Sequence, residues 1–197
     1  RTMATTRENK TISQFKSQLI GGGARPNLFE VELTTLPAGI AWPADNFRYM
    51  CKAAQLPASV IANIDIPFRG RIFKVAGDRT IAPWSITVIN DEDFKVRSVM
   101  EKWMNSINLH TANRRVGGGS ATKGYYASAT VHQLSKNTTG NTTRSYTFQN
   151  MFPTDLSEIT LDWGDNDSIQ EFTVTFAYDF WTAATGSGTP SSSNAIA

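Results

Sequence analysis

The sequence predicts a mainly β fold, an antiparallel β-sandwich or barrel with one packed α-helix over about residues 91–107. Three observations predict it. Several short runs alternate apolar and polar residues with the period of two that a half-buried strand requires. Gly, Pro, Asn and Asp clusters punctuate those runs, and Thr, Ser, Asn and Gly take the place of a deficit of charged residues, 18% of the chain against roughly a quarter in soluble domains. A single stretch has the three-and-four spacing of a helix that covers a core.

Residues 1–23 form a polar N-terminal arm ending in Gly21, Gly22 and Gly23; Ile12, Phe15, Leu19 and Ile20 fall near helical spacing, so the arm is either flexible or a short amphipathic helix. The domain begins at residue 24, with Phe29, Val31 and Leu33 alternating against Glu30, Glu32 and Thr34. A second strand is expected over Phe47–Ala53, with Arg48 and Lys52 facing Glu30 and Glu32 across a strand pair. From Val60 to Val75 two extended segments flank an Arg69-Gly70-Arg71 turn, and Pro67, which cannot donate a ladder hydrogen bond, makes its segment an edge or a projecting arm. An arm needs a partner surface; the alternative is a hairpin packed on its own domain. Gly77-Asp78 reads as a turn and Trp84, Ile86 and Val88 as the inward face of the next strand. Asn90 or Asp91 is the expected helix cap, with Asp91, Glu92 and Asp93 at the positive end of the dipole, and Val96, Met100, Trp103 and Ile107 as the buried stripe. A loop over 110–124 leads to a hairpin of strands 125–134 and 144–152, turned at 135–143 and ended by Pro153. Two more alternating runs follow: Ile159, Leu161, Trp163, then Phe172 to Phe180. After Trp181 the composition is Gly, Ser, Thr and Pro, and 183–197 is expected to be disordered. The domain therefore spans 24–182.

At 197 residues and 40% hydrophobic content, one substantial core is expected. Nineteen basic and 17 acidic residues are interspersed, for a net charge of +2, which lacks the basic stripe of an electrostatic nucleic-acid binder. Cys51 is the only cysteine, so no internal disulfide forms, and its place in an extended run makes it a small buried hydrophobe. No apolar run approaches the ~20 residues of a membrane span, and no signal-peptide core is visible, so assembly in a cytoplasm is expected.

Residue types that do chemistry are present without the spacing that chemistry needs. His110 and His132 have no second His or Cys beside them for zinc. The DWGDND run at 162–167 lacks the alternating acids and terminal glutamate of a calcium loop. Neither glycine triplet is followed by Lys-Ser or Lys-Thr, and no Gly-x-Ser-x-Gly elbow occurs. Asn137 and Asn141 match glycosylation acceptors but read as turn composition. The expectation is no enzyme, no metal, no cofactor and no small-molecule substrate. What remains is a surplus of polar strand faces, which are solvent faces on a lone sandwich or the lining of a wet channel if sheets close across subunits.

The segments ARPNLFEVEL, FRYMCKAAQLPAS, RIFKVAGDRTIAPWSITVINDE and MFPTDLSEITLDWGDNDSIQEFTVTFAYDFW, in this order over about residues 24–181, resemble the tail tube proteins of contractile-tailed bacteriophages, the myovirus tail tube family. The resemblance implies a β-sandwich subunit that forms hexameric rings with a shared β-barrel lumen. The rings stack helically into a virion tail tube that conducts DNA during ejection, with sheath, baseplate and tail terminator proteins as partners and DNA passing without specific binding. The tube of a bacteriocin or type VI secretion machine is the runner-up, and an isolated carbohydrate-binding sandwich the reading of another class. Within this frame Phe68, Arg69, Gly70, Arg71, Asp78 and Arg79 are candidate subunit contacts. Ser128, Thr130, Ser145, Thr147, Gln149, Glu171, Thr173, Thr175 and Asp179 are candidate lumen-facing residues, because a conduit for DNA should avoid Lys and Arg that would hold phosphates.

Overall fold

The computed structural model describes residues 11–19, 23–37, 39–112, 124–136, 142–164 and 166–185. Nine strands and three helices run through them: α1 (Ile12–Gln18), β1 (Phe29–Thr35), α2 (Ala44–Met50), β2 (Cys51–Ala54), β3 (Val60–Phe68), β4 (Arg71–Thr80), β5 (Trp84–Ile89), α3 (Lys95–Ile107), β6 (Ala127–Leu134), β7 (Thr142–Leu156), β8 (Glu171–Ala177) and β9 (Phe180–Thr185). Helix α1 opens on a reciprocal capping box between Thr11 and Gln14. Seven strands form one antiparallel sheet in the order β1-β6-β7-β8-β5-β2, with β9 also on β7. Strand β7 is 15 residues long and bends at Asn150, which has φ 55°. Its first half pairs with β6 and β9 and its second half with β8. One strand thus feeds two sheet halves, which fold over each other into the predicted sandwich.

The inward positions of both halves meet in one core. Trp84 of β5 stacks on Phe148 of β7 with ring centroids 4.4 Å apart, and Val31, Val131, Ile86, Val88, Phe172, Val174 and Phe176 fill the space around them. Three of the four residues read as the α3 stripe, Val96, Met100 and Trp103, are buried, and Ile107 is partly buried against the core; the Trp103 indole N–H donates to the Tyr125 carbonyl at 2.9 Å, which removes the cost of burying it.

Several expectations need correcting. Residues 44–50 are helical: Phe47 is buried, Met50 and Cys51 lie three and four positions on and pack on the same core, and Tyr49 is exposed, so the segment obeys a helical period and only Cys51–Ala54 is strand. Arg48 still meets Glu30, at 2.7 Å, and Glu32, but from α2. Lys52 goes to Glu171 instead, at 2.5 Å. Helix α3 starts at Lys95 with Phe94 as its N-cap residue in the left-handed region, φ 51°. Neither Asn90 nor Asp91 is the N-cap residue, although the Asp91 carboxylate is held below its ordinary pKa by the Asn46 amide, which donates to Oδ2 at 2.8 Å, and by the backbone N–H groups of Lys95, the first residue of the helix, and Asp93. Gly77-Asp78 lies inside β4, where a Cβ on Gly77 would stand 3.1 Å from the Ala62 carbonyl oxygen; the glycine serves a close strand approach at a bulge. Pro153 does not end its strand: it sits in β7 beside a register shift opposite Phe176. The run Ile159, Leu161, Trp163 is loop. Leu161 and Trp163 point to solvent, so their alternation reflects no sheet. The Phe172–Phe180 run divides, with β8 ending at Ala177 and β9 opening at Phe180. Strand β9 continues to Thr185, past the boundary expected at 182, with Ala183 and Ala184 buried. Residues 1–10, Ile20, Gly21, Gly22, Arg114, Arg115, Gly117–Gly119, Asn137, Asn141 and residues 186–197 lie outside the described residues.

A candidate assembly surface

Strands β3 and β4 form a two-stranded sheet of their own, apart from the seven-stranded one. They are joined by Arg69 and Gly70, both with positive φ, 45° and 80°, as a two-residue turn of the right-twisting kind demands. Pairing runs from Phe68↔Arg71 through Ile66↔Phe73 and Ile64↔Val75. Every residue of both strands is exposed except one of intermediate exposure, Gly77. A hairpin packed on its own domain is therefore not what the chain builds.

The register sorts the hairpin into two unlike faces. Ile64, Ile66, Phe68, Phe73 and Val75 share one face, and all five are large hydrophobics left open to solvent, with Arg71 at their end. Asn63, Asp65, Pro67, Ile72, Lys74 and Ala76 occupy the other, a mixed face in which Ile72 is exposed, Asn63 is bonded to Asp65 at 3.0 Å and Lys74 lies 3.3 Å from it. The Arg69 guanidinium lies over the Phe68 ring at 5.5 Å. Of the predicted contacts, Phe68, Arg69, Gly70 and Arg71 form the tip, while Asp78 and Arg79 lie at its base in β4. The apolar face itself was missed. Its signal was in the sequence: a two-residue turn at 69–70 places 64, 66 and 68 opposite 75, 73 and 71.

The lumen candidates fall into two groups on opposite sides of the sandwich. Ser128, Thr130, Ser145, Thr147 and Gln149 share the outer face of β6 and β7, turned away from Ala129, Val131 and Phe148. Thr130 and Thr147 hydroxyls are 3.2 Å apart, and Ser128 Oγ donates to Gln149 Oε1 at 3.1 Å. Thr130 and Ser145 are nonetheless buried among their neighbours. Glu171, Thr173 and Thr175 are on the outer face of β8 beside Thr87 and Ser85 of β5, with the Thr175 and Ser85 hydroxyls 3.2 Å apart. Asp179 is in the turn between β8 and β9 and accepts from the Asn150 amide at 2.8 Å.

Nothing in these surfaces resembles a reaction centre. Among the described residues no three His, Cys, Asp or Glu side chains gather to hold a metal. Burial pushes the Cys51 thiol up to about 12, far from the thiolate that nucleophilic chemistry needs. The groove between α3 and the end of β7, lined by Glu101, Met104, Ile107, Leu109 and Leu156 among others, brings together no nucleophile and base.

A family model described as phage tail tube protein matches residues 24–184. The chain is 38% identical over 161 residues to the tail tube protein gp19 of Enterobacteria phage T4, covering 82% of this chain and 92% of that protein. It is 27% identical over 171 residues to the tail tube protein of Serratia phage KSP90, covering 85% and 94%. Among solved structures, a chain of the sheath-tube complex of the extracellular contractile injection system PVC superposes with TM-score 0.57 at 17% identity, covering 86% of this chain and 97% of that one. A chain of the tube terminating cap of the anti-feeding prophage gives 0.58 at 18% identity, covering 93% and 99%.

Proposed function

We infer, from the premise that this chain belongs to the phage tail tube protein family, that it is a non-enzymatic structural subunit whose β3–β4 hairpin joins one copy to the next in a hollow tail tube. The observation that carries this reading is the hairpin's open apolar face. Five large hydrophobics on a two-stranded sheet call for a cover, since an isolated hairpin is marginal without something packed against it. A second copy supplies that cover. Because the hairpin on one subunit meets a different surface on the next, the contact is head-to-tail, the geometry that closes into rings and stacks into tubes.

Hexameric rings stacked helically are the proposed assembly, made in the host cytoplasm and carried as the virion tail. Sheath, baseplate and tail terminator proteins are the proposed neighbours; the structurally similar injection-system chains come from assemblies described with a sheath, a terminating cap and a baseplate. The outer face of β6 and β7 is the proposed lumen lining. It is hydrogen-bonded across the strands, and Arg48, which lies beside it, is engaged by Glu30 and Glu32, the register partners of His132 and Thr130, so the face wets the bore without a free cation to grip phosphates. On the β8 face Lys52 engages Glu171 in the same way. A carbohydrate-binding sandwich gains no support, because the large exposed apolar surface belongs to an arm rather than to a walled cleft.

Deleting residues 66–72 tests the reading. The variant should stay folded by circular dichroism and sediment as a monomer, whereas the parent forms uniform hollow filaments in negative stain. Filaments from the deletion variant would refute the role given to the hairpin.

A further inference from the structure

The hairpin needs a counterpart, and the chain carries a second unpartnered apolar patch of opposite charge. In the loop between β7 and β8, residues 157–170, Leu161 is 77% exposed, Trp163 102% and Ile169 71%. The described acids Glu158, Asp162 and Asp167 are interleaved with them along the chain, and no Lys or Arg occurs between 157 and 170. Two bonds act on the first half of the loop: the Gly164 N–H donates to Asp162 Oδ1 at 2.8 Å, and the Arg97 guanidinium donates to the Ser157 carbonyl at 3.2 Å. The hairpin shows the complement, an apolar face whose tip carries Arg69 and Arg71 and no acid.

We propose that the described residues Leu161, Asp162, Trp163, Asp167 and Ile169 between β7 and β8 form the docking site for the β3–β4 hairpin of a second copy of this chain, Leu161, Trp163 and Ile169 meeting the Phe68, Phe73 and Ile66 face while Asp162 and Asp167 meet Arg69 and Arg71. This rests on the reading of the hairpin as an assembly arm and names what the arm meets. Three physical effects act together. Burying both apolar patches supplies the favourable free energy. Trp offers the best ring for a guanidinium group, and Arg69 already sits over a ring at the tip. The charge pairing fixes orientation and disfavours hairpin-to-hairpin contact, where arginine would face arginine.

Charge reversal tests the pairing in the full chain. Asp162→Lys with Asp167→Lys should abolish filaments while leaving thermal unfolding of the subunit unchanged. Arg69→Glu with Arg71→Glu should do the same, and the chain carrying all four substitutions should regain filaments. Contact itself is read by cysteine cross-linking, which is clean because the native Cys51 is buried and unreactive. A Phe68→Cys preparation mixed with a Trp163→Cys preparation should give disulfide-linked dimers that neither gives with a Lys102→Cys control. Wild-type filaments from the Asp162→Lys, Asp167→Lys chain, or preferential linkage of the Phe68→Cys chain to the control variant, would overturn the docking proposal. If filaments are lost on deleting 66–72 but kept in the loop variant, the assembly arm stands and only its docking site falls. If the deletion variant itself forms filaments, the arm reading fails first.

Discussion

At the residue scale, His132 combines several influences in one half-buried place. It stands on the outer face of β6, its Nε2 3.8 Å from a Glu32 carboxylate oxygen, with Glu30 and Arg48 close by. Burial holds its pKa below the ordinary 6.5; the Glu30 charge pulls the other way and Arg48 adds to the lowering. The sign follows directly. Unfolded chains bind the proton more readily than folded ones, so stability is full above about 6.5 and declines as pH falls from there toward the folded-state value. Urea unfolding at pH 7.5 and 5.5 should show that decline, and His132→Gln should flatten it; an unchanged slope would mean that His132 does not titrate with unfolding. His132 looked in the sequence like an isolated residue of a polar strand face. Its charged surroundings come from α2 and β1, neighbours that no local reading supplies.

At the element scale, the three-and-four spacing of Val96, Met100 and Trp103 made α3 legible, yet its first residue was set by a turn that puts Phe94 at φ 51° with no side-chain cap. A non-glycine residue in that region costs about 1–2 kcal/mol. Phe94 is 42% exposed, so more than half of the side chain is covered and removing it forfeits about 1 kcal/mol of burial. Phe94→Gly should therefore leave the urea midpoint within the equivalent of about 0.5 kcal/mol of the parent, the relieved backbone strain offsetting the lost burial; a larger shift either way would show that one of the two dominates. The hairpin obeys the same logic from the opposite side. Gly70 has φ 80° and open space around its missing Cβ, so Gly70→Ala is opposed by backbone strain alone and should loosen the turn, read as faster amide exchange in β3 and β4 with the core strands unchanged. The α2 segment shows why short elements mislead: over 47–51 a period of two and a helical period both select Phe47 and Cys51, and only the partial burial of Met50 and exposure of Tyr49 separate them.

For the whole molecule, the lumen reading makes its own prediction. Ser128→Lys with Thr147→Lys should leave filaments intact and slow genome ejection, because two cations per subunit repeated around and along a bore would hold phosphates at many points; ejection at the parental rate would move the lining to the β8 face. The sequence by itself determined the β class, the core-facing residues of β1, β5 and β8, most of the α3 stripe, the turn at Arg69-Gly70 and the family resemblance. Each rests on short-range periodicity or on motif order, which survive without knowledge of contacts. Only the tertiary structure decided that β7 runs on through Pro153 into both sheet halves, that the run at Leu161 and Trp163 is an exposed loop, and that the polar strand faces separate onto opposite sides of the sandwich. Which strand pairs with which is set by contacts far apart in the chain, and a polar alternation names the face turned from the core without saying what that face looks upon.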